Sequence, residues 1–265
     1  SQTFAYYPLF PSKMISSDFE SGIISINTSD TGGGAEQFAR LMHETNQRCG
    51  VESRLLVGDK QSDDAATIPL WESPYFDYSP FQEPLKIRER QLCRQIYEKM
   101  GVEDFLHPYS HFPAQLSGLN PALIHLHYLL GGYFDLGALP ALSRTFPTVW
   151  TLHDYWALTG HCAYPLQCEH WKTGCGDCPD LQRAPATARD ATRMNFARKK
   201  SIFENTKLHI AAASQSLLDR IPGSMLEPAV IDTRCLRRGN ESLQRLRDNC
   251  SSYRSDLWNA AGTSS

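Results

Sequence analysis

The stretch IISINTSDTGGGAEQFARLMHETNQRCGVESRLLV, residues 23–57, decides the fold. Its opening, Ile23 to Asp30, is a short β-branched run ending in turn formers, the pattern of a buried strand entering a loop. Gly32, Gly33 and Gly34 follow. Next, AEQFARLMHETNQRC sets Phe38, Leu41, Met42 and Thr45 on one helical stripe, closed by Gly50 at a C′-type position. A second strand, Val51 to Val57, comes at once. Strand, glycine loop, helix and strand form a βαβ unit, whose strands run parallel because a crossover rather than a hairpin joins them.

Outward from this unit the alternation continues to about residue 231. Residues 59–83 are rich in Asp, Ser, Pro and aromatics and read as loop, whereas Leu85 to Met100 has helical spacing through Leu92, Ile96 and Met100 before Gly101. ALIHLHY (Ala122 to Tyr128) and TVWTLH (Thr148 to His153) read as strands buried on both faces, separated by a glycine turn and a short helix over Leu136 to Arg144. Ala191 to Asn205 reads as a helix, Leu208 to Ala213 as a strand, and Ser214 as the N-cap of SQSLLDRI. The expected fold is α/β: a Rossmann-like, doubly wound parallel sheet over residues 22–232, carrying an inserted cysteine-rich loop. Residues 1–21 form an N-terminal extension. From Thr233 to Ser265 the tail has six arginines, no lysine, three acids and little apolar periodicity, so it is expected to be poorly ordered.

The chain has 265 residues, 41% of them hydrophobic, enough for a substantial core. A net charge of −3 and a pI near 6.3 give no global pull toward nucleic acid, and no nucleic-acid partner is expected. No apolar run approaches the ~20 residues of a membrane span, and no charged-then-apolar leader opens the sequence. The expectation is a cytoplasmic protein with at most peripheral contact with the inner membrane face. Arg189, Arg193, Arg198, Lys199 and Lys200 read as a solvated basic face over a stripe of Met194, Phe196, Ile202 and Phe203.

In a doubly wound sheet, ligands bind beyond the carboxyl ends of the strands. Gly32, Gly33 and Gly34 lie there, where a helix N-terminus offers unpaired N–H groups to an anion; a plain flexible turn explains them as well. His153 ends its strand at the same rim, suited to donating a hydrogen bond or moving a proton, or else to ordering its own loop with Asp154. His125 and His127 alternate on the neighbouring strand. His127, nearer the strand end, is the rim candidate, and His125 a packed histidine.

Of eight cysteines, Cys49, Cys93, Cys235 and Cys250 are scattered, while Cys162, Cys168, Cys175 and Cys178 cluster as C-x5-C-x6-C-x2-C. Four soft donors on one short loop suit a structural zinc, and Cys175-Gly-Asp-Cys178 resembles half of a zinc knuckle. One or two disulfides, or a redox pair, are the alternatives, and His161 or His170 can replace a thiol as ligand.

INTSDTGGGAEQFARLM, IHLHYLLGGYFDLGALPALSRTFPTVWTLHDYWALTGHCAY, CEHWKTGCGDCPDL and RKKSIFENTKLHIAAASQSLLDRI together resemble the amino-terminal domain of family-4 glycosyltransferases, in the branch that builds exopolysaccharides such as colanic acid. The resemblance implies a GT-B architecture, two Rossmann-like domains across a cleft, with retaining sugar transfer from a nucleotide-sugar donor. It assigns the acceptor, a glycan or lipid-linked acceptor, to this domain. It also implies that Gly33 and Gly34 contact the donor diphosphate, that His153 stands near the donor sugar and phosphate, and that Cys162, Cys168, Cys175 and Cys178 form the branch's cysteine loop. The family's second, nucleotide-binding domain contributes two glutamates eight positions apart. After residue 200 only Glu204, Glu227 and Glu241 occur, and no pair has that separation. The expectation is therefore a truncated acceptor-side domain, inactive alone. A split enzyme completed by a separately encoded second domain, or a non-catalytic glycan- or protein-binding module, remain as alternatives.

Overall fold

A computed structural model describes residues 22–70, 92–93, 95–103, 107–111, 113 and 118–236. The N-terminal extension, most of the tail and part of the segment read as helix over Leu85 to Met100 lie outside the described residues. Seven strands form one sheet: β1 (Gly22–Ser29), β2 (Ser53–Asp59), β3 (Thr67–Pro69), β4 (Pro121–Leu126), β5 (Thr148–Leu152), β6 (Leu208–Ala212) and β7 (Val230–Cys235). Their order is β3-β2-β1-β4-β5-β6-β7, and every pairing is parallel. Chain order reverses between β1 and β4, which makes the crevice beyond their carboxyl ends the place where a ligand fits.

Side chains alternate across a strand, so each face has its own chemistry. Ile24, Ile26, Leu56, Ile124, Leu126, Trp150, Leu152 and Ile210 point to one face and build the main core. Helix α2 (Leu139–Thr145) covers it with Leu139 and Leu142, and helix α3 (Thr192–Phe203) with Phe196 and Phe203. Each fully buried aliphatic or aromatic side chain stabilises the fold by roughly 1.5–3 kcal/mol. On the other face, helix α1 (Gly34–Arg48) sets Ala39 against Leu55 and Val57. Toward the strand ends that face turns polar, with Ser25, Asn27, His125, His127 and Thr151 all buried.

Gly50 closes α1 with a φ of 69°, and the Ser214 hydroxyl accepts from the Leu217 amide at the start of α4 (Gln215–Leu218). Both boundaries match the reading of the sequence. The stripe of α1 is rotated from the expected one: Ala39, Met42, His43, Thr45 and Asn46 are buried, because β2 presents Ser53, whose hydroxyl meets His43 Nδ1 at 2.8 Å and Asn46 Nδ2 at 3.4 Å. Leu92, Ile96 and Met100 do share helical spacing, yet they are 58%, 45% and 48% exposed. Periodicity reveals an apolar face but not a partner for it.

Two strands were not expected. Residues 59–83 read as loop, but Thr67–Pro69 pairs with β2. The sheet also runs past residue 232, since β7 extends to Cys235 by backbone pairing with β6 while most of its side chains stay exposed. Lys199 is the sharpest correction. Placed on a solvated basic face by its neighbours, it is fully buried, as described below.

Candidate functional site

The loop after β1 is built by local polar contacts. Asp30 is buried and accepts from the amides of Gln61 at 2.8 Å and Ser62 at 2.9 Å, tying the loop to the segment after β2. Burial pushes the Asp30 carboxyl up, but the Ser62 and Gln61 bonds outweigh it and hold it below the usual range. Gly32 has a φ of 134°, a conformation L side chains avoid. Gly33 is the N-cap of α1 without a side-chain cap, so the first amides of a 15-residue helix are left to solvent. Glu36, in the first turn, folds back on them: a Cβ built on Gly33 would lie 3.3 Å from Glu36 Oε2. Gln37 Nε2 donates to Gly32 O at 3.2 Å.

The second turn of α1 brings Phe38 over the histidines. Its ring centroid lies 5.9 Å from that of His127 and 5.8 Å from that of His153, both edge-on. The two imidazoles are 6.0 Å apart, and His125 stacks 4.0 Å from His127. A helix rises about 1.5 Å per residue, so Phe38 lies within roughly 6 Å of Gly34 along the axis. The triple-glycine loop, His127 and His153 therefore share one rim of the sheet. Backbone bonds fix it: the His127 amide donates to Ile26 O at 2.9 Å, and Trp150 Nε1 donates to His127 O at 2.8 Å.

The three histidines differ in environment. His125 Nε2 meets Thr151 Oγ1 at 2.8 Å, a packed histidine as expected, and burial pushes its pKa down to about 4. His127 is 1% exposed, and neither ring nitrogen has a hydrogen-bond partner among the described residues. Burial, then the neighbouring His125 and His153, lower its pKa well below the usual value, so it is a neutral imidazole at pH 7. His153 is half-buried. Asp154 Oδ1 accepts from the Trp156 amide at 2.8 Å, and its carboxyl pairs with the Tyr128 hydroxyl. Burial raises its pKa.

Beyond β4 and β5 lies a groove of about 430 Å³, lined by Glu103, the Gly131–Gly132 turn, Phe134, Trp156 and His161 among others. Glu103 lines it and pairs with the fully buried Lys199. Lys199 Nζ donates to Glu103 at 3.0 Å and to the carbonyls of Trp156 and Thr159, both at 3.1 Å, while lying 3.8 Å from the Trp156 ring centroid. Trp156 Nε1 donates to Glu103 Oε1 at 2.7 Å. Glu103 carried no local signal in the sequence, because its partner is 96 residues away. Glu36 did: it stands three residues after the N-cap, where an acid reaches back to the helix start.

Cys162, Cys168, Cys175 and Cys178 are free thiols that line one small cavity of about 20 Å³ with His161 and His170. Gly160 N–H points at Cys175 Sγ at 3.2 Å, and His161 Nε2 lies 3.4 Å from Cys178 Sγ. Among the described residues no group of three or more His, Cys, Asp or Glu side chains is arranged to hold a metal ion. Burial pushes the Cys162 and Cys178 thiols up and Cys175 to about 11. No helix among the described residues is long and apolar enough to cross a membrane.

No protein-family model and no solved structure matches the chain. A putative colanic acid biosynthesis glycosyl transferase, WcaC of Escherichia coli strain K12, is 34% identical over 90 residues, covering 31% of this chain. The chain spans 22% of that relative's length in the match. Similarity of this degree, on a seven-stranded parallel α/β sheet, supports a relationship to glycosyltransferases.

Proposed function

We propose that this chain carries the acceptor-side half of a family-4-type, retaining glycosyltransferase that moves a sugar from a nucleotide-sugar donor to a glycan or lipid-linked acceptor in polysaccharide or lipopolysaccharide assembly. The observation that carries the reading is the meeting of the α1 N-terminus, His127 and His153 at the switch point of the sheet, through the shared Phe38 contact. The partial match to WcaC supplies the reaction class.

The chemistry follows from charge. Departure of a nucleoside diphosphate builds negative charge on its phosphate oxygens, and preorganised N–H donors stabilise it without reorganising at the moment of reaction. The amides of Gly33 and Gly34 and the macrodipole of α1 supply such donors. Glu36 turns outward when the diphosphate arrives, an inexpensive rotamer change on a helix surface. His153 donates to a donor phosphate or sugar oxygen. The groove lined by Glu103 and Trp156, within the roughly 300–1,000 Å³ range of ligand pockets, receives the acceptor. The nucleoside and the rest of the diphosphate require a second, nucleotide-binding lobe facing this rim.

A transfer assay with a panel of nucleotide sugars tests the reading. The 265-residue chain alone is expected to give no turnover, and mixing it with the second lobe of a related transferase to restore transfer, lost about 100-fold or more in His153→Ala. Robust transfer by the chain alone, or full activity in His153→Ala, contradicts the proposal.

A further inference from the structure

We propose that Tyr155, Tyr164 and Arg220 form an anionic-sugar subsite beyond β5 and β6, in which the guanidinium takes a carboxylate or phosphate carried by a sugar and the exposed tyrosine takes the face of the sugar ring. That the ligand is a sugar rests on the transfer reading. That it carries a negative group rests on Arg220 alone.

The topology assembles the site. Tyr155 stands in the loop after β5, Ser216 lies in the short helix α4 after β6, and Arg220 closely follows that helix. Tyr164 and Trp171 come from the cysteine-rich loop. In a doubly wound sheet the ends of these strands are where ligands bind, and none of these residues is among those that line the groove of about 430 Å³.

Arg220 is half-buried, and its guanidinium carbon lies 4.8 Å from the Tyr155 ring centroid and 6.0 Å from that of Trp171. Both rings attract it electrostatically, and it shields Trp171, which is buried. A guanidinium has five N–H donors, yet among the described residues this one makes neither a hydrogen bond nor an ion pair. Two acids near it are already engaged: Glu169 accepts from Lys172 Nζ at 2.6 Å, and Asp219 accepts from Gln215 Nε2 at 2.9 Å. The rings therefore hold a planar fork in place with its donors unused, the geometry that a carboxylate or a phosphate accepts in two parallel bonds. The other cation of the cluster, Lys172, is held by Glu169, which leaves one unpaired charge for one anionic group rather than a track for a polyanion.

Tyr164 supplies the second contact. Its ring meets that of Tyr155 at 6.2 Å and 68°, and 54% of the residue stays in solvent. Close by in the chain, Leu166 is also exposed, at a φ of 51° that L side chains rarely adopt, so this stretch of the loop holds apolar side chains outward against a backbone cost. The Tyr155 hydroxyl lies 3.4 Å from Ser216 Oγ, which adds two exchangeable polar groups at the edge of the rings. An amphipathic ring, hydroxyls and a charged fork together match a ligand with an apolar face, hydroxyl edges and one acidic substituent.

The test titrates the isotope-labelled full chain with D-glucuronate, D-glucose 6-phosphate, methyl D-glucopyranoside, inorganic phosphate and uridine monophosphate, following the Arg220 Nε–H resonance. Glucuronate or glucose 6-phosphate is expected to shift it saturably, with an affinity about tenfold or more above those of the neutral glucoside and of inorganic phosphate. Whichever of the two binds more tightly identifies the carboxylate or the phosphate as the source of the charge. Arg220→Lys keeps the charge without the fork and should weaken the better ligand about tenfold, and Arg220→Gln should erase the preference for a charged sugar over the neutral one. Should Arg220→Gln fail to fold, Tyr164→Ala decides, because this exposed side chain is not needed for the core: it should weaken the anionic sugar about tenfold and leave inorganic phosphate unchanged. No saturable shift with either anionic sugar, equal affinity for the neutral glucoside or for inorganic phosphate, or tighter binding of uridine monophosphate overturns the proposal. Anionic-sugar binding that persists while the transfer assay fails counts against the transfer reading alone, and transfer without such binding counts against this subsite alone.

Discussion

Replacing Lys199 by methionine is the most revealing single perturbation of the fold. The ammonium has three protons, and the structure gives each an acceptor: the Glu103 carboxylate at 3.0 Å and the carbonyls of Trp156 and Thr159 at 3.1 Å. Methionine keeps an unbranched stem of similar length, so packing along α3 is retained and the loss isolates the charge. What remains is a buried carboxylate whose only described hydrogen bond is from Trp156 Nε1, together with two carbonyls that lose a donor. Removing one partner of a buried pair costs about 3–5 kcal/mol, whereas an exposed pair is worth about 0–1 kcal/mol. Lys199 is 0% exposed and Glu103 15% exposed in its side chain, so the larger figure applies. Urea unfolding followed by circular dichroism should show the midpoint falling with an unchanged slope, and the melting temperature dropping on the order of 10 °C. Lys199→Met with Glu103→Gln should recover part of the loss, because the second change removes the stranded charge. A single-variant cost below about 1 kcal/mol, or no recovery in the double variant, refutes the pairing.

Acid should unfold the chain through its buried imidazoles. His125 falls from an ordinary value near 6.5 to about 4, and His127 is likewise lowered well below its ordinary value, both because burial opposes the charged form. Between those values the unfolded chain binds protons that the folded chain refuses, so stability is full above pH 6.5 and declines as pH falls, by about 1.4 kcal/mol per pH unit for each histidine. Thermal melts from pH 7.5 to 4.5 check this, and His125→Gln should flatten the profile; a flat wild-type profile contradicts it. Gly58→Ala should cost about 1–3 kcal/mol by overpacking, since the added Cβ would stand 2.5 Å from Tyr133 Cγ. Tyr133 has little room to yield, as its hydroxyl donates to Tyr128 O at 2.7 Å, and an unchanged melting temperature would show that the ring moves freely.

The parallel sheet was readable because its interior strands are buried on both faces and their loops carry strong turn chemistry. The run from Ile23 to Val57 specified strand, loop, helix and strand in order, and the carboxyl rim then followed from topology. His125 and His127 could be placed on one face of one strand, but their surroundings could not be read from distance along it: His127, nearer the strand end, is the more buried of the two. The misses share a cause: they depend on partners distant in sequence. Lys199 sits among exposed basic neighbours, and only the fold brings Glu103 beneath it. The strand Thr67–Pro69 is three residues long and β7 is held by backbone pairing, so neither shows a side-chain period. Leu92, Ile96 and Met100 show the converse, a period without burial.

The central claim is that one rim of this sheet receives an anionic leaving group between the start of α1 and an imidazole. Titrating a nucleoside diphosphate into the isotope-labelled chain, with amide and imidazole resonances followed together, tests it most directly. The account predicts that Gly33, Gly34 and His153 shift in concert with a single affinity, and that His153→Ala weakens that affinity while leaving the fold intact. Shifts confined to the Glu103 groove, or glycine amides that stay still while His153 responds, would contradict it.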